Sequence, residues 1–491
     1  MKARKGGDLR ELVRRAVSAG GIDDSSGAQE ETTQMCLVRG GKRASLLQRR
    51  TRTRPPDLTH SIFKRRLDHA AVGAPFRNAP VTNFCMLISA VMLPSTCVVV
   101  PTYWSRAGGA SCAGDAVYDH PTAVDAPSTL DALLESLEKL DTRTFYLLIL
   151  VAVTGADVAR DAEARVRDLV AGYPGVTSLV FGPSTLQVLR ERLNGEAGED
   201  RTSFLDLARY PKIRNLQLAI PLTLGSQAIV ALDDDEIVTD SAFLRKATEP
   251  LGTSIDGRVV DGLSGYYLQD DGGILLRIDP DKSRSPNIFD RKASIMNAAT
   301  EMLQRDPGDI VLTPFCFGGN MEFTPELAAS VGFDPQITRG EDIDYLINAR
   351  LEGKNIFMRK DLRILHRPPA GGSYQDASWS KLEQDVMRFT YEREKLLISQ
   401  TVPDLRPLTV EELMPYPGEF LSDNHEEDAR EALSAARYPE DIDGFLRHTT
   451  ETAREKIDEY LRFRTSWPNV TARLRDDAGL RDKLLSRMRG V

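Results

Sequence analysis

Three groups of residues in this 491-residue chain have types and positions that could act together in chemistry. The first is Asp233-Asp234-Asp235-Glu236, which closes the apolar run Ala228–Leu232. Four acids cannot sit in a dry core as isolated charges, because desolvating an ion costs several kcal/mol or more. They are expected at the mouth of a sheet, in water or on a cation. The second group is Glu341-Asp342, behind Gly340, at the start of a helical pattern that runs to Glu352 and stops at Gly353. The third is His366, at the end of a short apolar segment. Each alone has an ordinary explanation: a solvated turn, acids placed on a helix dipole, a surface histidine. A divalent ion of the Mg²⁺ or Mn²⁺ kind prefers oxygen ligands, and an imidazole in the set tilts the preference towards Mn²⁺.

The elements that must position these residues alternate between strand and helix patterns. Cys97–Val100, Phe145–Val153, Ser178–Phe181 and Ala228–Leu232 read as strands. Thr129–Leu140, Asp161–Tyr173 and Ser184–Leu193 read as helices between them. Such alternation implies βαβ units and a mostly parallel sheet, with ligands at the carboxyl ends of its strands. Beyond the acids, Ser241–Leu251 and Ile288–Leu303 read as helices. Val259–Leu268 and Gly273–Ile278 read as two strands around the turn Asp270–Gly273, and Asn355–Met358 and Arg363–Leu365 as two short strands. From about residue 380 the pattern is helical, in segments Trp379–Ile398, Glu426–Ala436, Asp441–Phe463 and Asn469–Arg489. The organisation read from this is a basic leader over 1–90, an α/β domain over 91–375 and a helical region over 376–491. Packing, stability or a subunit contact is the expected role of that last region.

Hydrophobic content of 41% and charged content of 27% are those of an ordinary globular protein, and a net charge of −9 argues against a general nucleic-acid binder. The leader is rich in Arg and Lys and reads as disordered. A peripheral membrane contact through it is the less favoured role. Phe84–Pro101 carries no charge over about the minimum length of a membrane span. Pro94, Ser95 and Thr96 interrupt it, so it reads as an apolar leader abutting a buried strand. Cys36, Cys85, Cys97, Cys112 and Cys316 have no metal-site spacing and are expected as free thiols in a reducing compartment, consistent with a cytoplasmic location.

Between about Thr96 and Pro369 the chain resembles nucleotide-sugar glycosyltransferases of GT-A fold, in their family 2-like branch. Cys97–Arg106 (CVVVPTYWSR) is similar to that branch's opening strand and loop, Arg214-Asn215 to the pair that precedes its acidic motif, and Leu232–Glu236 (LDDDE) to its metal-binding DxD. Phe317–Asn320 (FGGN) resembles the glycine loop that faces the acceptor. Val331–Ala349 (VGFDPQITRGEDIDYLINA) is the most specific piece, and His366 stands where the family has a metal-ligand histidine.

The resemblance implies an α/β, Rossmann-like sheet with helices on both faces, carrying a helical C-terminal appendage. It implies a metal-dependent hexosyltransferase that moves a sugar from a nucleotide-diphosphate sugar to a hydroxyl of a sugar, glycoside or small molecule, with inversion. Asp235 is the first metal ligand, Asp233 the second or a ribose contact, and His366 a further ligand. Asp234, between them, should point the other way. Pro101, Tyr103, Arg106, Arg214, Asp233, Gly318 and Gly319 are the donor-site residues. Asp342 is the base for the acceptor hydroxyl and Glu341 orients it. Two departures stand out: the second strand runs into Thr154-Gly155-Ala156-Asp157 where the branch has an acidic turn for the base, and Gly108–Asp119 is an insertion. Arg339, Lys360 and Arg367 are basic residues near the acids that read as surface pairs. The alternatives are a retaining enzyme of the same fold, a nucleotidyltransferase, and a non-catalytic nucleotide-sugar-binding protein. Thr102–Gly109 lacks the glycine-rich basic loop of the second.

Overall fold

The computed structural model describes residues 93–194, 203–367 and 379–490. The leader, Cys36, Cys85 and the first half of the apolar stretch that begins at Phe84 lie outside the described residues. Four apolar segments form a parallel set: β1 (Thr96–Ser105), β2 (Phe145–Val153), β3 (Ser178–Phe181) and β4 (Ala228–Leu232), in the order β3-β2-β1-β4. Their crossovers carry α1 (Leu130–Leu137), α2 (Ala159–Ala171), α3 (Pro183–Asn194) and α4 (Tyr210–Leu224). β5 (Gly262–Leu268), β6 (Ile310–Leu312), β7 (Asn320–Phe323) and β8 (Ile356–His366) extend the sheet as β4-β7-β5-β8-β6. β7 runs antiparallel to β4 and β5, β8 parallel to β5, and β6 antiparallel to β8. The α/β sheet expected from the sequence is therefore parallel in one half and mixed in the other.

The period of two along the parallel strands splits the core into two layers. Val98, Val100, Leu147, Ile149, Val230 and Leu232 face α1, α2 and α5 (Phe243–Thr248). Cys97, Val99, Tyr146, Leu148 and Ile229 face the opposite layer, which contains α4. α4 is buried on nearly every side, Arg214 and Gln217 included. The remaining helices of six residues or more are α6 (Lys292–Arg305), α7 (Pro325–Ser330), α8 (Glu341–Leu351), α9 (Trp379–Ser399), α10 (His425–Ala435), α11 (Ile442–Asp476) and α12 (Ala478–Arg489).

Four expectations change. Gly273–Ile278 is not a strand: β5 pairs with β8 in both its halves and with β7 at Gly262, Leu263 and Ser264, and among the described residues no ladder forms beyond the turn. The segment is instead held by Asn297, whose side chain bonds both backbone groups of Leu276 at 2.8 and 2.9 Å. Val259 pairs in a small separate ribbon with Ser254, ahead of β5. The two short strands after Gly353 are one strand, β8, with a register shift between Met358 and Arg363. The last two helices join and break later than expected, at Asp477 rather than before Pro468. α11 runs through Pro468 because both sides of it are anchored. Trp467 donates from Nε1 to Ala328 O at 3.0 Å and Thr471 from Oγ1 to Ala329 O at 2.9 Å. A Cβ on Gly332 would come within 2.6 Å of Phe463 and 2.7 Å of Trp467, so only glycine lets α11 seat here.

The C-terminal helices share the main core: Phe389, Tyr391, Phe463, Trp467, Leu480 and Leu484 are buried in the same cluster as Val99 and Ile229. Among the described residues, Cys97, Cys112 and Cys316 are free thiols, and no helix is long and apolar enough to cross a membrane.

Candidate active site

The carboxyl end of β4 meets the end of β8 and the start of α8. β4 stops at Leu232, and the acids that follow turn back through the two-residue strand Glu236-Ile237, which pairs antiparallel with Leu365-His366 of β8. That pairing sets Asp235 beside His366: Oδ2 and Nε2 are 3.3 Å apart, and the Arg367 amide donates to the Asp235 carbonyl at 2.8 Å. Burial works against the imidazolium, but Asp235 and then Asp233 outweigh it, so His366 titrates above an ordinary histidine.

Each acid has a different partner. Asp233 receives a bidentate pair from Arg214, Nη1 to Oδ1 at 2.8 Å and Nη2 to Oδ2 at 3.1 Å. The same guanidinium reaches Glu341 Oε1 from Nε at 3.3 Å and Gln217 Oε1 from Nη1 at 3.1 Å. Gln217 donates in turn to the Val99 carbonyl at 3.3 Å, so the buried helix α4 aims one arginine at two acids. Asp234 accepts from Thr102 Oγ1 at 2.6 Å, away from the partners of Asp233 and Asp235. Burial pushes its carboxyl up to about 8, against the Thr102 hydrogen bond.

Glu236 corrects the expectation that all four acids lie in water or on a cation, because it is fully buried. Its Oε2 accepts from the Asp233 amide at 2.9 Å, while Oε1 has no hydrogen-bond partner among the described residues. Burial raises its pKa well above that of an ordinary carboxyl, which favours the neutral acid inside the fold.

Gly319 is the floor beneath these acids. A Cβ there would strike Glu236 Oε1 and come within 2.7 Å of Asp233 Oδ2, so the close approach requires glycine. Its amide donates to Tyr267 Oη at 2.7 Å, and the Tyr267 ring stacks on His366 with centroids 5.2 Å apart. Gly318 is less confined: a Cβ there would stand 3.2 Å from Arg214 Nη2 and 3.4 Å from Asp342 Cβ.

Asp342 sits in the first turn of α8, whose N-cap is Gly340 with φ of 71°. Asp342 Oδ2 accepts from the Gly318 amide at 3.1 Å and Oδ1 from the Ile343 amide at 2.9 Å. Burial raises both Glu341 and Asp342; Arg214 is the main charge opposing it for Glu341, and the Ile343 amide, Arg388 and Arg214 oppose it for Asp342.

The structure thus brings Asp233, Asp235, His366, Arg214, Gly318, Gly319, Glu341 and Asp342 into one linked cluster. Tyr103 borders it: its ring packs on Tyr118 at 4.7 Å and Tyr210 at 5.4 Å, and the charges of Arg214 and Asp233 reach its hydroxyl. Two expected donor residues make other contacts. Pro101 is buried within β1, opposite Leu150 of β2 and beyond the last β1–β4 pair, because the strand continues to Ser105. Arg106 is consumed by Asp115 and Asp157: Nη1 to Asp115 Oδ2 is 2.6 Å, and Nη2 and Nε to Asp157 are 2.6 and 2.7 Å. Both acids are held below their usual range by that arginine, which ties the inserted loop to the end of β2. Asp157 is accordingly engaged in the same pair.

Among the described residues, no three His, Cys, Asp or Glu side chains are grouped as a ready metal cage. Asp233 is turned to Arg214 and is not brought in as a third ligand beside Asp235 and His366. The pair that remains fits a divalent ion of the expected kind: ligands on adjacent corners of an octahedron with bonds of about 2.1 Å lie roughly 3 Å apart, and Asp235 Oδ2 and His366 Nε2 are 3.3 Å apart. Such ions take their other ligands from water and substrate phosphates. Sequence reading missed Tyr267, Gln217 and Thr102. The adjacent pair Tyr266-Tyr267 on one strand was a usable signal, since alternation must send one ring to each face.

No family model matches the chain, and no curated protein matches it. Solved structures do. A mannosyltransferase from Pyrobaculum calidifontis, in complex with GDP-Man and Mn²⁺, is 13% identical over 78% of this chain and 86% of its own, with a TM-score of 0.38. Glucosyl-3-phosphoglycerate synthase from Mycobacterium tuberculosis, in complex with Mn²⁺, uridine-diphosphate and phosphoglyceric acid, is 16% identical over 63% of this chain and 80% of its own, with a TM-score of 0.32. TarS from S. aureus is 13% identical over 76% of this chain, which spans 54% of TarS, with a TM-score of 0.34. These are distant likenesses.

Proposed function

We propose that this chain is a divalent-metal-dependent glycosyltransferase that moves a sugar from a nucleotide-diphosphate sugar to an acceptor hydroxyl, with inversion. The observation that carries the reading is the pairing of Asp235 with His366 at the sheet's carboxyl edge, linked through Arg214 and the Gly318-Gly319 loop to Asp342 at the start of α8. Asp235 and His366 would hold the ion, which offsets as a Lewis acid the charge that develops on a departing diphosphate.

The chain's own residues supply the rest. Arg214 fixes Asp233 and Glu341 relative to each other, so the donor side and the acceptor side of the site move as one body. Gly319 gives the donor a close approach to backbone beside Asp233. Asp342 takes the acceptor's proton. Each of its oxygens accepts one amide hydrogen, which leaves lone pairs free, and its burial raises its proton affinity towards that of a useful base. Glu341, anchored on Arg214, orients the hydroxyl.

A screen of sugar nucleotides by thermal shift, with and without Mn²⁺, tests this reading. One nucleotide sugar is expected to stabilise the protein only when the metal is present, and incubation with acceptors is then expected to release the nucleoside diphosphate and form a glycoside of inverted anomeric configuration. Release of pyrophosphate would identify nucleotidyl transfer instead. Absence of metal-dependent stabilisation across the common uridine and guanosine sugar nucleotides would overturn the proposal.

A further inference from the structure

The first turn of α8 carries more than the proposed base. Arg339 and Gly340 precede Glu341-Asp342 directly, and the side chain of Arg388, from α9, lies against Gly340, where its Nη1 occupies the place a Cβ would take. Arg388 is 6% exposed. It pairs with Asp385 at 3.0 Å and donates from Nη2 to Tyr416 Oη at 3.1 Å. Lys292, at the start of α6, pairs with the other oxygen of Asp385 at 2.5 Å. Arg339 makes no hydrogen bond or ion pair among the described residues and is half-buried. Its charge nevertheless reaches both Lys292 and Asp385.

Three cations therefore act on Asp385, and Arg388 also acts on Asp342. The nearby buried acid Glu392 does not restore balance, because burial pushes its carboxyl up to about 8. Burial first, and then Arg388 and Arg339, bring the Lys292 ammonium down to about 8 against the pull of Asp385. A cluster that served only to anchor α9 would gain from an acid for each base, as buried charges need partners. Lys292 keeps 24% of its side chain exposed and Arg339 is also reachable from solvent, so a ligand has access to the uncompensated side.

Resting on the glycosyl-transfer reading, we propose that the acceptor carries an anionic group, a phosphate or a carboxylate, received by Arg339 and Lys292 over Arg388, which sets the neighbouring hydroxyl at Asp342. Arginine suits this role, since its planar fork matches both anions bidentately. Among the described residues, the Arg339 side chain has no other partner to give up.

The test uses the full chain in a chelating buffer at fixed ionic strength, so that metal-held diphosphate binding is silent and screening is constant. Inorganic phosphate, acetate and neutral glycerol are titrated by calorimetry into the wild type, Arg339→Gln, Lys292→Met and Asp235→Asn. Phosphate is expected to bind saturably to the wild type, at least tenfold more weakly to Arg339→Gln and Lys292→Met, and unchanged to Asp235→Asn; glycerol is expected not to bind. Acetate binding with the same variant pattern, and no phosphate binding, would support the proposal with a carboxylate as the anion. No binding of either anion to the wild type, or equal binding by Arg339→Gln, would overturn it. Loss in Asp235→Asn alone would also overturn it, by locating the anion on the donor side. These outcomes leave the nucleotide-sugar screen untouched, so the two readings fail separately. Once a donor is known, Arg339→Gln should raise KM for glycerol phosphate or glycerate at least tenfold and leave KM for the donor unchanged; equal effects on both would overturn the assignment.

Discussion

Replacing Lys395 by Met probes how the C-terminal helices hold the proposed catalytic helix. The ammonium of Lys395, on α9, is fully buried between two fully buried aspartates, 2.7 Å from Asp334 Oδ2 and 2.6 Å from Asp344 Oδ1 on α8. It also donates to Asn348 Oδ1 at 3.0 Å and lies 4.1 Å above the Tyr460 ring. Burial pushes Asp344 up to about 6 even with the lysine in place. Without the lysine, at least one carboxyl must bind a proton to remain inside. That costs about 1.4 kcal/mol per pH unit above an unfolded value near 3.9. The wild type already carries this cost up to about pH 6, so relative to it the protonation costs about 1.4 kcal/mol more at pH 7, to which the lost lysine contacts add. The pH dependence gives the sign. In the wild type Asp344 is protonated when folded below about pH 6, so stability falls as pH rises from about 4 to 6 and then levels. In Lys395→Met the folded protein keeps its extra proton past pH 7, so stability continues to fall by about 1.4 kcal/mol per unit between pH 6 and 8. Urea denaturation of both proteins at pH 6, 7 and 8 measures this. Adding Asp344→Asn removes one stranded carboxyl and should recover a large part of the loss. A difference under about 1 kcal/mol at pH 7, or parallel pH profiles for the two proteins, would refute the account.

Three further outcomes are expected. Gly319→Ala drives a methyl into Glu236 Oε1 and Asp233 Oδ2, and should cost about 1–3 kcal/mol of stability and weaken metal-dependent nucleotide binding by tenfold or more in calorimetry; Gly318→Ala, with its nearest neighbour at 3.2 Å, should do neither. Asp342→Asn should cut turnover by about 10²–10⁴-fold while donor affinity stays within a few-fold of wild type; a loss confined to donor affinity would remove Asp342 from the role of base. Asp235→Ala and His366→Ala should each abolish the Mn²⁺ response of nucleotide binding, and the double variant should be no worse than either, since both act on one ion; additive losses would separate them.

The parallel half of the sheet was legible because its strands are short, apolar and bounded by turns, so burial alone names them. The end of β4 was legible as a site because acids following an apolar run must either be solvated or find partners. Which partner each would find was not. Glu236 escaped because a buried acid can discard its charge, so counting charges overstates the water around the motif. Where Pro101 and Arg106 lie was not legible: β1 runs to Ser105, past the last pair it makes with β4 at Val99, and nothing local marks where a strand loses its neighbour. The false hairpin after β5 is another case: alternation and a turn describe a ribbon, but the segment after the turn is held by Asn297 on α6.

Which contacts the helical tail makes was not legible, and the cause is physical. Arg388, Glu392 and Lys395 are spaced i, i+4, i+7, which places three ionisable groups on one face of α9. A charged stripe on a helix ordinarily faces water. Here it is buried, with Arg388 at 6% exposure and Glu392 and Lys395 at none, and it lies along the first two turns of α8 at Gly340, Asp344 and Asn348. Apolar helix faces can slide or rotate against each other at modest cost, because dispersion and burial are not directional. A lysine seated between two aspartates cannot, since any shift strands an ion. Through Lys395 the tail therefore sets the position of α8 along its axis, and through Arg388 it packs against the turn that carries Asp342. An acceptor anion arriving at Arg339 and Lys292 would meet a surface already fixed by those contacts. Removing α9 would strand Asp334 and Asp344 without their lysine and leave the proposed base without a defined place.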